Sequence, residues 1–193
     1  QFGQRPSTFR DSPDWETWLA VLAPFNQARN TFMQTIQTRA DVTIRNVADI
    51  PVAIMEHRGA PSTIGATIRR FIDWRRSVGL RPDTSATFNI FHSDPRTTPP
   101  ENYRLALCAG LGRSIETEGQ PVTTGIIPGG RCAVLRIVGG ADDLESAAAW
   151  LYREWLPASG EEPRDFPLYC QRLSFFPDVP ENETVTELFL PLE

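Results

Sequence analysis

A strand, a glycine turn and an amphipathic helix occur twice in this chain, and that repetition limits its fold more than any other feature. The clearer copy is Gly125–Gly160. Ile126 to Val138 is β-branched and apolar around Pro128-Gly129-Gly130 and predicts strand. Asp142 or Asp143 is placed to cap a helix, because a carboxylate accepts the unpaired amide protons of a first turn. Leu144, Ala148, Leu151, Tyr152 and Trp155 then recur at helical spacing and form one apolar face. A half-buried strand followed by a one-faced helix must cover its apolar side with something.

The covering surface is a second copy. Pro51–Arg58 predicts strand, Gly59-Ala60-Pro61 a turn, and Ser62 caps a helix in which Ile64, Ile68, Phe71 and Ile72 are the apolar positions and which ends near Gly79. Val52 and Cys132 are offset by 132 − 52 = 80, as are Gly59 and Gly139 and the apolar helix positions. Pro100-Glu101-Asn102 and Pro180-Glu181-Asn182 match at the same offset. Short strands are expected at Val42–Arg45, Thr87–His92 and Tyr103–Leu111, with a Pro-rich turn at Asp94–Pro100. The expected fold class is α+β, built from two strand-helix-strand-strand repeats (about 42–111 and 122–193), each burying the other's open face.

Composition restricts the partners. The net charge is −5 and the pI about 5.1, with no basic run. Such a surface is poorly suited to nucleic acid, which requires clustered Lys and Arg to displace counterions. The three cysteines, Cys108, Cys132 and Cys170, include no CxxC, which predicts reduced thiols in a cytoplasmic protein. His57 and His92 have no Cys or His at ligand spacing, so no metal is expected. There is no phosphate loop, Ser-His-Asp order or paired-acid motif, so no cofactor and no catalytic residues are assigned. No apolar run is long enough to span a membrane, and no signal-peptide pattern is present.

Residues 11–40 predict a helical linker. Ser12-Pro13-Asp14 is a helix start, Trp15, Trp18, Leu19 and Leu22 share a face, Pro24 breaks the helix, and Asn26–Thr38 resumes it with Phe32, Met33 and Ile36. Two exposed Trp would be costly, so the linker should pack on the main domain or on a second copy as a homodimer contact.

Residues 1–10 contain Phe2-Gly3, Pro6 and Phe9-Arg10. This string resembles the tail that follows the recognition helices of AraC-family transcription regulators. The resemblance implies helix-turn-helix units upstream, DNA contact only through them, and a chain that is a fragment or a processed product, consistent with its lack of an initiating Met. Ile127-Pro128-Gly129-Gly130-Arg131-Cys132-Ala133, Leu151-Tyr152-Arg153-Glu154-Trp155-Leu156-Pro157-Ala158-Ser159-Gly160 and Glu187-Leu188-Phe189-Leu190-Pro191-Leu192 resemble the GyrI-like small-molecule-binding domain, over residues 41–193. That resemblance implies an antiparallel sheet, two main helices on one face, and a central ligand cleft on the pseudo-twofold axis. It implies a small-molecule effector, aromatic or hydrophobic, sensed by the C-terminal domain of a regulator. A small hydrolase of this fold and a protein-interaction module such as a gyrase modulator are the alternatives.

Relatives of this type place a Glu in a Pro-x-x-Glu-x-Tyr strand, where it selects cations. Here the matching stretch is Pro167-Leu168-Tyr169-Cys170-Gln171-Arg172, with Cys170 in the Glu position and Arg172 in the Tyr position. The candidate cleft residues are Glu56, Trp74, Phe91, Tyr103, Trp150, Tyr152, Cys170 and Phe175. Each also has a structural reading. Glu56 is then a solvated strand end, Cys170 a small buried residue, Trp74 and Trp150 edge covers, Tyr152 core, and Phe91, Tyr103 and Phe175 core as readily as cleft.

Overall fold

Each copy contributes three strands and a helix, and each lends one further strand to the other copy. The computed structural model describes residues 41–175 and 178–193, which belong to one compact unit, Arg39–Glu193. The expectations for residues 1–10 and 11–40 fall outside the described residues. The strands are β1 (Val42–Val47), β2 (Ile50–Arg58), β3 (Thr87–Phe91), β4 (Arg104–Gly110), β5 (Thr123–Ile127), β6 (Gly130–Val138), β7 (Tyr169–Arg172) and β8 (Val185–Pro191). They form one antiparallel sheet in the order β1-β6-β8-β7-β3-β4-β2-β5. The helices α1 (Ile64–Ser77) and α2 (Ala141–Trp150) follow β2 and β6.

β1 precedes β2 but pairs with β6, and β5 precedes β6 but pairs with β2. The two junctions have one register: Val47 opposite Gly130 in one corresponds to Ile127 opposite Ile50 in the other. The run Ile126–Val138 is therefore two strands, not the single one expected. Pro128 has no amide to give a ladder, and Gly129 comes so close to the β1–β2 link that a Cβ would lie 2.6 Å from the Val47 carbonyl oxygen. The Gly129 amide donates to the Asp49 carboxylate at 2.6 Å, which ties the two links together.

The registers also locate the symmetry axis. Met55 pairs with Leu107, and Leu135 with Leu188, so the offset is 135 − 55 = 80 on the first strand of each pair and 188 − 107 = 81 on the second. Asn89 pairs with Leu107, and Cys170 with Leu188, which makes Cys170 the counterpart of Asn89. These two residues face each other in the β3–β7 pair, so the pseudo-twofold axis passes between them.

The change from 80 to 81 occurs in the helical segment that continues from α2 to Ser159. Gly59 and Gly139 precede the helices at 80, whereas the left-handed glycines that follow them, Gly79 and Gly160, differ by 160 − 79 = 81. The extra residue is absorbed by a π-turn at Leu151–Trp155, where the Leu156 amide bonds back to the Leu151 carbonyl before a last α-turn, Leu156–Ser159. Pro157, which has no amide, follows directly. Trp74 thereby becomes the counterpart of Trp155, and both are buried. The match of Pro100 with Pro180 is corrected in the same way. Pro99 and Pro180 are the equivalents, each preceding a 3-10 turn, Pro100–Asn102 or Glu181–Glu183.

α1 lies over β2 and β4, burying Phe71 and Trp74 against Ala53, Met55, Leu105 and Leu107. α2 lies over β6 and β8, burying Leu144, Ala147, Trp150, Leu151 and Trp155 against Ala133, Leu135, Leu188 and Leu190. The sheet curls so that its other face has its own core, including Val52, Cys108, Cys132, Val134, Tyr169 and Phe189. The helix starts differ from expectation. Ser62 lies within a 3-10 turn, Pro61–Thr63, and Asp143 acts from the first turn of α2, accepting the Gly140 amide at 2.8 Å. Among the described residues no helix is long and apolar enough to cross a membrane.

Candidate functional site

Between the helices the sheet is less fully covered along β3, whose helix-side residues are half-buried, than along β2, β4, β6 and β8, and we read that strip as a groove. On the helix side of β4, Leu105, Leu107 and Ala109 are buried. Thr87, Asn89 and Phe91, beside them on β3, are only half-buried. Phe91 packs against the cores under both helices, so it bridges the floor of the groove.

The walls follow from the helix faces. Arg96, in the β3–β4 loop of the first copy, forms an ion pair with Glu145 on α2 of the second. That bond turns the side of α2 carrying Glu145, Ala148 and Tyr152 toward the axis, since residues three and four apart share a face. Ile68 and Ile72 on α1 occupy the equivalent positions to Ala148 and Tyr152. Ile68 is 39%, Ile72 41% and Tyr152 44% exposed. The apolar stripes read from the sequence therefore have two sides. Phe71 and Leu151 enter the core, and Ile72 and Tyr152, one position on, border the groove. Large apolar side chains left in water beside a concave strip are the usual signature of a binding surface.

Four of the sequence candidates lie at or beside this strip. Phe91 is on its floor. Tyr152 is on its α2 wall rather than in the core. Tyr103, buried just before β4 with its ring centroid 6.2 Å from that of His57, has its phenol pKa raised by burial and then by the Glu145 charge on α2. Cys170 lies on the axis with no accessible surface. Burial pushes its thiol up to about 11, and the nearby Arg172 charge pulls partly against that shift.

The others lie elsewhere. Glu56 is on the opposite face of the sheet, bonded to Arg104 and to Arg58 at 2.7 Å. Burial raises its pKa, but the two guanidinium hydrogen bonds outweigh this and hold the carboxyl below its ordinary value. Trp74 is stacked on Phe71 under α1, with ring centroids 5.9 Å apart. Its Nε1 has no hydrogen-bond partner among the described residues. Trp150 is buried in the core under α2, and Phe175 is half-buried after β7. Cys132 also faces away from the helices, its sulfur 3.8 Å from the Tyr169 hydroxyl.

Ile68, Ile72, Asn89 and Arg172 border the strip and were not singled out as site residues from the sequence. The repeat itself held the signal, because the axis can be placed once the one-residue change of offset is known. Among the described residues no group of His, Cys, Asp or Glu is arranged to hold a metal ion.

Residues 40–193 match the family described as the GyrI-like small-molecule-binding domain. A "Probable transcriptional regulator YgiV" of Escherichia coli K12 is 37% identical over 153 residues, covering 79% of this chain and 96% of that protein. Among solved structures, the EcmrR C-terminal domain superposes with a TM-score of 0.63 at 15% identity, covering 79% of this chain and 96% of the other. A structure titled as a hydrolase from Listeria innocua superposes with a TM-score of 0.57 at 10% identity, covering 88% and 98%. At those identities the two structures establish the shared fold and nothing about chemistry.

Proposed function

This chain belongs to the GyrI-like small-molecule-binding family, and we propose that residues 41–193 are the effector-sensing domain of an AraC-type transcription regulator. The observation that carries the sensing role is the groove on the axis, with a half-buried floor and the exposed Ile68, Ile72 and Tyr152 beside it. A flat apolar molecule there would touch both repeats at once. Its binding energy would favour one relative setting of the two helices, which is the requirement for a ligand to bias a coupled domain. The AraC assignment rests on Phe2-Gly3, Pro6 and Phe9-Arg10, and on the transcriptional role named for the 37% identical relative. In this reading DNA is contacted only through an upstream domain, the linker at residues 11–40 carries the coupling and a homodimer contact, and the cytoplasm is where three buried free thiols persist.

Binding without turnover is the reading that the groove supports. A nucleophile must be reachable and ionised, and Cys170 is sealed and its thiol held at about 11. The test is a thermal-shift screen of the full chain against uncharged and charged aromatic compounds. A ligand at 100 times its Kd should add about 2.7 kcal/mol of stability. That shift should vanish in Tyr152→Ala and Ile72→Ala variants that retain the parent melting temperature. A screen in which no compound stabilises the parent chain would overturn the proposal.

A further inference from the structure

We infer that the groove selects an anionic aromatic ligand, holding its flat body at the Phe91 end and its negative group at the Arg172 end. This rests on the small-molecule reading of the groove and specifies the ligand's charge and orientation. The two ends of the floor are counterparts across the axis, since Phe91 and Arg172 differ by 172 − 91 = 81, the offset of the strands that carry them. One end is a bare aromatic ring, the other a guanidinium.

Several observations make the second end an anion site. Arg172 is half-buried and lies on the helix side of β7, two residues from the sealed Cys170. Among the described residues no carboxylate forms an ion pair with it. A half-buried guanidinium has five donors to satisfy. Thr87 stands directly opposite Arg172 in the β3–β7 ladder. Its hydroxyl oxygen accepts from Arg75, whose remaining hydrogen bonds go to the carbonyls of Leu80 at 2.8 Å and Ser85 at 2.6 Å. Arg75 is only 5% exposed, so its positive charge is held in place by three acceptors. With its oxygen already accepting, Thr87 has its hydroxyl hydrogen left to give. Asn89, next along β3, adds an amide. Arg172, the Thr87 hydroxyl and, two residues along β3, Asn89 thus lie side by side on the half-buried floor, with the buried Arg75 charge behind Thr87, and the α2 carboxylate Glu145 is already paired with Arg96. A carboxylate or sulfonate accepts from such a set, and a cation is repelled by it.

The experiment is a fluorescence titration of the full chain with two dyes that differ in one group, 8-anilinonaphthalene-1-sulfonate and the uncharged N-phenyl-1-naphthylamine, with cationic rhodamine 6G as a third arm. The sulfonate should bind at least about tenfold more tightly than the neutral dye, the size of one charge-assisted hydrogen bond. Arg172→Gln should remove that advantage and leave the neutral dye unchanged, while Arg172→Lys should keep part of it. Tyr152→Ala should weaken both dyes. Equal affinity for the two dyes in the parent chain, an unchanged advantage in Arg172→Gln, or tighter binding of rhodamine 6G would overturn the anion assignment and leave the small-molecule reading standing. Failure of both naphthalene dyes to bind would overturn both.

Discussion

The two repeats share a backbone and differ where they meet. The first copy brings Ile68, Ile72 and Phe91 to the groove, and the second brings Ala148, Tyr152 and Arg172. The first copy's helix is regular, whereas the second contains an inserted residue in a π-turn. Duplication supplies two mutually covering halves, each burying apolar area that neither could bury alone. Divergence at the axis then makes the groove polar at one end and apolar at the other. A perfectly twofold groove would accept a ligand in either direction, and this one favours a single orientation.

The sharpest way to break the comparison is to alter helix length in one copy at a time. Deleting the exposed Asp73 from α1 rotates Trp74 by about 100° relative to Phe71 and removes it from the core. That should cost about 3–5 kcal/mol, as for truncating a buried Trp, read from urea unfolding. Deleting Arg153 from the π-turn instead restores the Phe71–Trp74 spacing to Leu151 and Trp155. It also forces Pro157 into a regular helix, where its ring meets the carbonyl four residues back at a cost of about 3 kcal/mol. The same deletion combined with Pro157→Ala should recover most of that loss. No recovery would mean that the extra residue does more than accommodate the proline.

A second comparison uses the glycines that precede the helices. Gly59 (φ 110°) and Gly139 (φ 141°) are counterparts in left-handed backbone. A Cβ on Gly59 meets nothing within 4 Å, whereas one on Gly139 would lie 2.2 Å from the Asp143 carboxylate, the group that accepts the Gly140 amide. Gly139→Ala should therefore cost about 2–3 kcal/mol, the backbone strain plus a lost helix-end hydrogen bond. Gly59→Ala should cost about 1–2 kcal/mol, from strain alone. Equal losses would show that Asp143 swings aside freely.

The repeat, the strands and both helices were legible in the sequence because each is marked locally, by alternation, helical spacing and glycine turns. The swap of β1 and β5 was not, since pairing between distant strands leaves no local pattern, and Ile126–Val138 reads as one run although Pro128 divides it. The site was half legible. Tyr152 and Cys170 stand out within family-like strings, and Phe91 as an aromatic on a strand that alternates between faces. Ile68 and Ile72 read as core because a helical stripe cannot show which of its edges faces a neighbouring helix. Glu56 read as a groove carboxylate because it ends a strand expected to border the axis, yet its position in the alternation puts it on the opposite face, and only the Met55–Leu107 register settles which face that is.

Glu56 gives the smallest expected effect and a clear sign. Its counterpart is Arg136, as 136 − 56 = 80, so the bridge from Glu56 to Arg58 and Arg104 exists in the first copy alone. The carboxyl is 28% exposed, which limits the bridge to about 1 kcal/mol. A carboxyl whose folded pKa lies below its unfolded value stabilises the fold above the unfolded pKa and loses that stabilisation as pH falls through the folded one. Glu56→Gln should therefore lower stability by about 1 kcal/mol at pH 7. The gap between parent and variant should narrow below the ordinary value of 4.5 and close once the folded carboxyl is protonated. The equivalent change on the second copy, Arg136→Gln, breaks no ion pair among the described residues and should leave the pH dependence of unfolding unmoved. A gap in Glu56→Gln that persists into acid would mean that the carboxylate contributes packing rather than charge, and the two copies would then be electrostatically alike on this face.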